Sequence, residues 1–186
     1  MFSMKMKVFS FCLTAVLMLL AGCATLSDSG QHYRETVQNI RQGQTDFAVI
    51  HLQAIVKEYP SSPYAPQATF ALGEYYYDIG DYYNAIKTFS DYIHAYPKDK
   101  GVVFSKLIIY KIITSFEQEK TTGEAEDALV KMIRKELFAQ PLFLIFYDKK
   151  MPRSYKSLFN YSYIVYDYVD KIKVFRNDKI FLELSP

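Results

Sequence analysis

The sequence lacks tryptophan, has only two cysteines and carries almost no net charge. The cysteines, Cys12 and Cys23, both lie near the amino terminus, which excludes the disulfide framework of small secreted proteins. With 22 Lys and Arg against 20 Asp and Glu, the chain has no electrostatic footprint for nucleic acid. The fold must therefore be held together by apolar burial, and 50% of the residues are hydrophobic.

Motifs for catalysis and for metal binding are also missing. The chain contains no G-x-S-x-G, no glycine-rich phosphate loop and no H-E-x-x-H. Its three histidines, His32, His51 and His94, stand far apart in sequence and show no paired ligand spacing. We therefore predict that the protein is not an enzyme, with no catalytic residue, no metal site, no cofactor and no small-molecule substrate.

The apolar run near the amino terminus is too short to cross a membrane. It covers residues 8–20 and follows Lys5 and Lys7, an order that is typical of a secretory signal. A membrane-spanning helix needs about 20 apolar residues. We interpret residues 1–22 as a signal peptide that is removed on export.

The segment Leu20-Ala21-Gly22-Cys23 resembles the lipobox of bacterial lipoproteins. The resemblance implies cleavage before Cys23 and three acyl chains, palmitate among them, on the new amino terminus, which is enough for stable anchoring. The alternative is an ordinary cleavage site that happens to end in cysteine. Ala24 follows instead of the aspartate that tends to retain lipoproteins at the inner membrane, which favours the periplasmic face of the outer membrane. Residues 23–31 are predicted to be the lipidated terminus and a tether, or else the frayed start of a helix.

Two segments repeat one pattern at an offset of 37 residues. The recurring features are a glycine, an alanine, a large apolar residue and a Tyr-Pro pair: Gly43 and Gly80, Ala48 and Ala85, Leu52 and Phe89, Tyr59-Pro60 and Tyr96-Pro97. In the second unit the spacing predicts a helix over 66–79 that stops at Gly80, and another over 81–96 before Pro97. The repeat therefore predicts helical hairpins.

The second unit resembles a tetratricopeptide (TPR) repeat. The matching positions are Leu72-Gly73, Tyr76, Ala85, Phe89 and Pro97, with Thr69 in place of the usual tryptophan. Gly73 and Ala85 are small where two antiparallel helices approach each other. One hairpin cannot bury its own apolar face, so such repeats must stack.

More narrowly, the segment EYPSSPYAPQATFALGEYYYDIGDYYNAIKTFSDYIHAYP resembles the TPR units of BamD-type outer-membrane-protein assembly lipoproteins. The shared details are the Y-P-x-S-P-Y-A junction and Tyr92, and the resemblance covers about residues 33–99. It implies an anchored scaffold that binds other envelope proteins, such as the outer-membrane assembly machinery. The alternatives are an envelope adaptor of the Tol or cell-division type and an accessory subunit of an envelope enzyme.

The rest of the chain is harder to interpret. Helical patterns over 103–119 and 124–140 predict a degenerate third hairpin, which would complete a TPR-like domain over 32–140. Residues 141–186 are predicted to be a small capping region, in which LFLIFY is either strand or buried helix and residues 155–172 fit either type. KIKVFRNDKIFLEL predicts two strands about an Asn-Asp turn. The predicted fold is mainly α, with two clear hairpins and one degenerate hairpin before a small capping region of mixed α and β structure.

One face of the predicted helix 66–79 is a candidate binding surface. This helix is the first of the second predicted hairpin and is therefore numbered α3. We call the residues at its helical spacing the α3 stripe: Gln67, Phe70, Glu74, Tyr77 and Asp78. The TPR resemblance implies that the first helix of each repeat lines the ligand-binding surface. Aromatic rings flanked by acids there could bind an extended or helical peptide of a partner. The alternative is that Phe70 and Tyr77 pack on the neighbouring repeat.

Overall fold

The computed structural model describes residues 28–119, 124–138, 141–147 and 151–186. The predicted signal peptide 1–22 and Cys23 lie outside the described residues. The chain forms two compact units, an amino-terminal unit up to Ala65 and a carboxyl-terminal unit from Pro66 onward. None of the described helices combines the length and the apolar character that crossing a bilayer requires.

The amino-terminal unit is a helical hairpin. Helix α1 covers residues 28–41 and helix α2 covers Thr45–Glu58. Between them Gly43 adopts a φ of 72°, a left-handed conformation that glycine reaches without strain. Helix α1 already includes residues 28–31, which the sequence analysis placed in the tether. The unit also holds a stacked pair of rings, Tyr33 and Tyr64, with centroids 4.5 Å apart.

The first hairpin of the carboxyl-terminal unit confirms the two predicted helices. Helix α3 covers Ala65–Asp78 and helix α4 covers Tyr82–Ala95. The side chain of Asp81 caps α4 by accepting a hydrogen bond of 3.2 Å from the backbone N–H of Asn84. A Cβ on Gly73 would lie only 2.8 Å from the ring of Phe89, so this crossing requires glycine, as the TPR pattern implies.

The backbone repeats with the sequence. Gly80 adopts a φ of 79°, matching Gly43, and the two Tyr-Pro tyrosines that end α2 and α4 have φ angles of −129° and −128°. Ala48, Ala85, Leu52 and Phe89 are all fully buried. The offset of 37 residues is therefore a structural repeat, and the TPR-like fold is confirmed.

A third hairpin follows, as predicted. Helix α5 covers Gly101–Glu119 and helix α6 covers Glu124–Leu137. Helix α5 packs against α4, and its apolar face joins Val130, Ile133 and Leu137 of α6 in one core. Residues 139 and 140, the end of the predicted helix, lie outside the described residues.

The capping region is mixed, and the structure settles both ambiguities in its sequence. LFLIFY is helix α7, Leu142–Tyr147, with Leu142, Phe143 and Phe146 buried. Four strands follow: β1 Ser154–Lys156, β2 Ser162–Asp167, β3 Ile172–Arg176 and β4 Lys179–Leu184. They form an antiparallel sheet in the order β1-β2-β3-β4. The helical spacing over 155–172 was thus incidental, and the β-branched and aromatic content decided the structure.

One face of this sheet belongs to the core of the unit. Val165 pairs with Val174 across β2 and β3, and both side chains are buried. Asn177 and Asp178 adopt φ angles of 49° and 61°, which confirms the predicted turn and fits its tight two-residue type. The buried face therefore points at the helices, and Tyr163 of β2 is among its fully buried residues.

Candidate functional site

The α3 stripe lies against the C-terminal sheet. Phe70 and Glu74 are buried, Tyr77 is half-buried, and Gln67 and Asp78 are at the surface. The helical spacing therefore identified one continuous face of α3. In this structure most of that face is covered by the chain's own strands.

Phe70 is the apolar centre of the contact. Its ring lies 4.5 Å from the ring of Tyr155 in β1 and 6.3 Å from that of Tyr163 in β2, measured between centroids. On the helical side it meets Phe89 at 5.3 Å and Tyr92 at 5.7 Å, both edge to face. Aromatic pairs in this arrangement contribute beyond their buried area. Phe70 thus joins α3, α4 and the sheet.

Glu74 is a carboxyl group without exposure to solvent. Its Oε1 accepts a hydrogen bond of 2.7 Å from the hydroxyl of Tyr163. Among the described residues its Oε2 has no hydrogen-bond partner. Burial raises the pKa of Glu74 to about 8, although the Tyr163 hydroxyl, the nearby Ser157 hydroxyl and the charge of Arg176 act in the opposite direction. Glu74 is therefore largely protonated at neutral pH, and in this conformation it cannot touch a substrate.

Arg176 of β3 ties the sheet to the end of the stripe. Its two terminal nitrogens donate to the two carboxylate oxygens of Asp78 at 2.7 and 2.8 Å, a bidentate pair. The guanidinium also stacks 3.6 Å from the ring centroid of Tyr161 and lies 5.6 Å from that of Tyr77. Tyr77 in turn packs edge to face on Phe181 of β4 at 5.8 Å. These contacts join the end of α3 to β3 and to β4.

The occupant of the stripe is thus a sheet within the same chain. Sequence reasoning weighed a partner peptide against a neighbouring repeat. Phe70 does lie beside Gly101 at the start of α5, in the next hairpin, and the sheet is a further neighbour that neither alternative included. The residues that it missed are Tyr163 and Arg176. The chemistry of the stripe itself could have predicted them, because its two acids beside aromatic rings need hydrogen-bond donors such as a hydroxyl or an arginine when they are buried.

A second cluster lies in the amino-terminal unit, where the hairpin brings together His32, Glu35 and His51. The Nδ1 atoms of the two histidines are 3.0 Å apart, and Nδ1 of His51 is 3.1 Å from Oε2 of Glu35. A hydrogen bond from Gln31 lowers the pKa of the Glu35 carboxyl. The prediction of no metal site rested on the separation of the histidines in sequence. The turn at Gly43 removes that separation in space.

The described residues form three helical hairpins, and the first two share the 37-residue repeat. A family model described as YfiO, outer membrane lipoprotein, matches residues 27–128, more than half of the chain. The chain belongs to the YfiO family of outer membrane lipoproteins. This confirms the resemblance to BamD-type lipoproteins that the repeat carried. No curated protein matches the chain.

The YfiO match ends within α6 and therefore leaves out α7 and the whole sheet. The α3 stripe belongs to the matched part, whereas Tyr163 and Arg176 do not. A cavity of about 310 Å³ also lies on the unmatched side, lined by Tyr161, Arg176, Asn177, Lys179, Ile180 and Phe181. The family match thus covers the hairpins up to the start of α6. The sheet that covers the α3 stripe is seen only in the structure.

Proposed function

We propose that this YfiO-family protein is a lipid-anchored scaffold on the periplasmic face of the outer membrane that takes part in outer-membrane protein assembly. The observation that supports the proposal most is that an array of TPR-like hairpins, a fold suited to holding other proteins, carries a match to outer membrane lipoproteins. The mechanism is passive. The lipid on Cys23 localises the protein, and its helices bind partner proteins without catalysis.

The α3 stripe is part of this proposal as a recognition surface. Its contacts with the sheet illustrate the chemistry that it accepts: aromatic rings on Phe70, a hydroxyl on Glu74 and an arginine on Asp78. Gln67, at one end of the stripe, is exposed, so a partner can approach the stripe from this side. Contact with Phe70 or Glu74 would require the sheet to move aside.

Photo-crosslinking in cells tests the scaffold role. With a photoreactive residue at Gln67 of the full-length protein, we expect adducts with outer-membrane assembly proteins or their unfolded substrates. Lys87, which is exposed on α4, is the matched control position and should give no such adducts. Capture of Tol, cell-division or peptidoglycan-synthesis proteins would instead support the adaptor function. Identical adducts from both positions would contradict recognition by the stripe.

Fatty-acid labelling tests the anchor. Cys23→Ser should abolish incorporation of labelled palmitate, because the thiol is the proposed attachment point. Cys12→Ser is the control, since Cys12 lies in the segment that we expect to be removed, and labelling should persist in this variant. Undiminished labelling of Cys23→Ser would show that the lipid is not attached at Cys23 and would contradict the proposed anchor.

A further inference from the structure

The cluster of His32, Glu35 and His51 has the dimensions of a metal site. Each residue offers one potential ligand atom, a ring nitrogen from each histidine and a carboxylate oxygen from Glu35, and these three atoms lie within 4.8 Å of one another. Two of the separations are 3.0 and 3.1 Å. Ligands at about 2.0–2.1 Å from a tetrahedral Zn²⁺ are about 3.3 Å apart, close to both separations measured at His51 Nδ1.

Hydrogen bonding alone satisfies this cluster poorly. Nδ1 of His51 faces both a ring nitrogen of His32 and the carboxylate of Glu35, and it can carry only one hydrogen. A neutral His51 therefore cannot donate to both neighbours. A single cation between the three atoms would engage all of their lone pairs at once.

The surroundings also orient the ligands. Gln31 Nε2 donates a hydrogen bond of 3.0 Å to Oε1 of Glu35, which holds the carboxylate while Oε2 faces His51. Metal-binding carboxylates commonly have such a supporting hydrogen bond. The side chains of His51 and Glu35 are 24% and 37% exposed, so an ion could enter from solvent and keep one position for water.

We propose that His32 Nδ1, Glu35 Oε2 and His51 Nδ1 bind one divalent transition-metal ion, best fitted by Zn²⁺, in the amino-terminal hairpin. Two imidazoles and one carboxylate suit zinc, whereas Mg²⁺ and Ca²⁺ prefer sites made of oxygen alone. Since the ligands come from both α1 and α2, the ion would link the two helices. The proposal does not depend on the scaffold function.

Calorimetric titration of the full mature lipoprotein, without a histidine tag, tests the site. We expect one Zn²⁺ per chain and no binding of Mg²⁺. His51→Gln and Glu35→Gln should each weaken Zn²⁺ binding by at least about tenfold, since even outer-shell changes cost 10–100-fold. His94→Gln is the matched control. His94 hydrogen-bonds to the carboxylate of Glu136 at 2.7 Å and is not part of the cluster, so its removal should leave the zinc affinity unchanged.

X-ray absorption at the zinc edge of the wild-type protein gives a readout that does not depend on any variant's folding. We expect two imidazole ligands at about 2.0–2.1 Å. Absence of stoichiometric binding, a coordination shell of oxygen alone, or an unchanged affinity in folded His51→Gln would each overturn the proposal.

Discussion

Raising the pH from 4.5 to 9 is expected to destabilise the carboxyl-terminal unit by on the order of 5 kcal/mol through Glu74 alone. The buried carboxyl has a pKa of about 8 in the folded protein, against 4.5 for an exposed glutamate. Between these values only the folded state holds the proton, so unfolding releases it. Stability therefore falls by about 1.4 kcal/mol per pH unit in this window. The contribution is fully present below pH 4.5 and is lost as the pH rises through 8.

The groups around Glu74 do not titrate in the same window. The pKa of Tyr77 and that of Tyr161 are both raised to about 12, chiefly by burial, and burial also raises the pKa of Tyr163. Arg176 stays charged and remains paired with Asp78. The groups in contact with Glu74 therefore add little to the expected pH dependence. His94, whose pKa is raised by its hydrogen bonds to Ser90 and Glu136, also titrates in this range, but it does so equally in the wild type and in a Glu74 variant.

Glu74→Gln is the variant that isolates the effect. Its amide oxygen can still accept the hydrogen bond from Tyr163, but it carries no proton to lose. Urea unfolding followed by circular dichroism at pH 5 and pH 9 should give a large loss for the wild type and a much smaller one for the variant. Equal losses in the two proteins would mean that Glu74 is not held protonated by its site.

Phe70→Ala is expected to lower the free energy of unfolding by about 3–5 kcal/mol. The side chain is 1% exposed and meets four aromatic rings, so truncation leaves a cavity at the junction of α3, α4 and the sheet. Phe47→Ala is the control, because it removes the same phenyl ring from an exposed position. Phe47 lies on α2 and is 59% exposed, and its truncation should change stability by no more than about 0.5 kcal/mol.

Urea unfolding of the two variants checks this contrast. If Phe70 acted only as a partner-binding residue, Phe70→Ala would unfold at the same denaturant concentration as Phe47→Ala while losing partner crosslinks. That result would contradict the packing of the sheet on the α3 stripe. Phe70→Leu, which retains part of the volume, should fall between Phe70→Ala and the wild type.

The hairpins could be predicted because their signals are local. Gly80 ends α3, Asp81 caps α4 and Pro97 follows it, and each of these acts within a few residues of its place in sequence. The Asn177-Asp178 turn was predictable for the same reason. Helix α7 was ambiguous because LFLIFY is a short apolar run, and a buried helix and a buried strand look alike over six residues.

Both candidate sites are formed by contacts between residues that are distant in sequence, and this is why sequence patterns did not predict them. The helical period identified the stripe, but Glu74 and Tyr163 are 89 positions apart, and no local pattern relates them. His32 and His51 are only 19 apart, yet their meeting depends on the register of α1 against α2. Spacing rules for ligands on one helix could not detect a pair that spans a turn.

The sheet that covers the stripe is also a competitor for it. Because sheet and stripe belong to one chain, their encounter is intramolecular. Flexibly linked sites reach effective concentrations in the millimolar range, and this is the order of magnitude assumed for the sheet. A free partner at micromolar concentration would need about a thousandfold higher intrinsic affinity than the sheet to occupy the stripe half of the time. If the protein is anchored at the outer membrane as proposed, a partner enriched at the same membrane surface would reach the buried stripe more readily than a free one. Confinement at the membrane would then determine which partner proteins can compete with the sheet for the stripe.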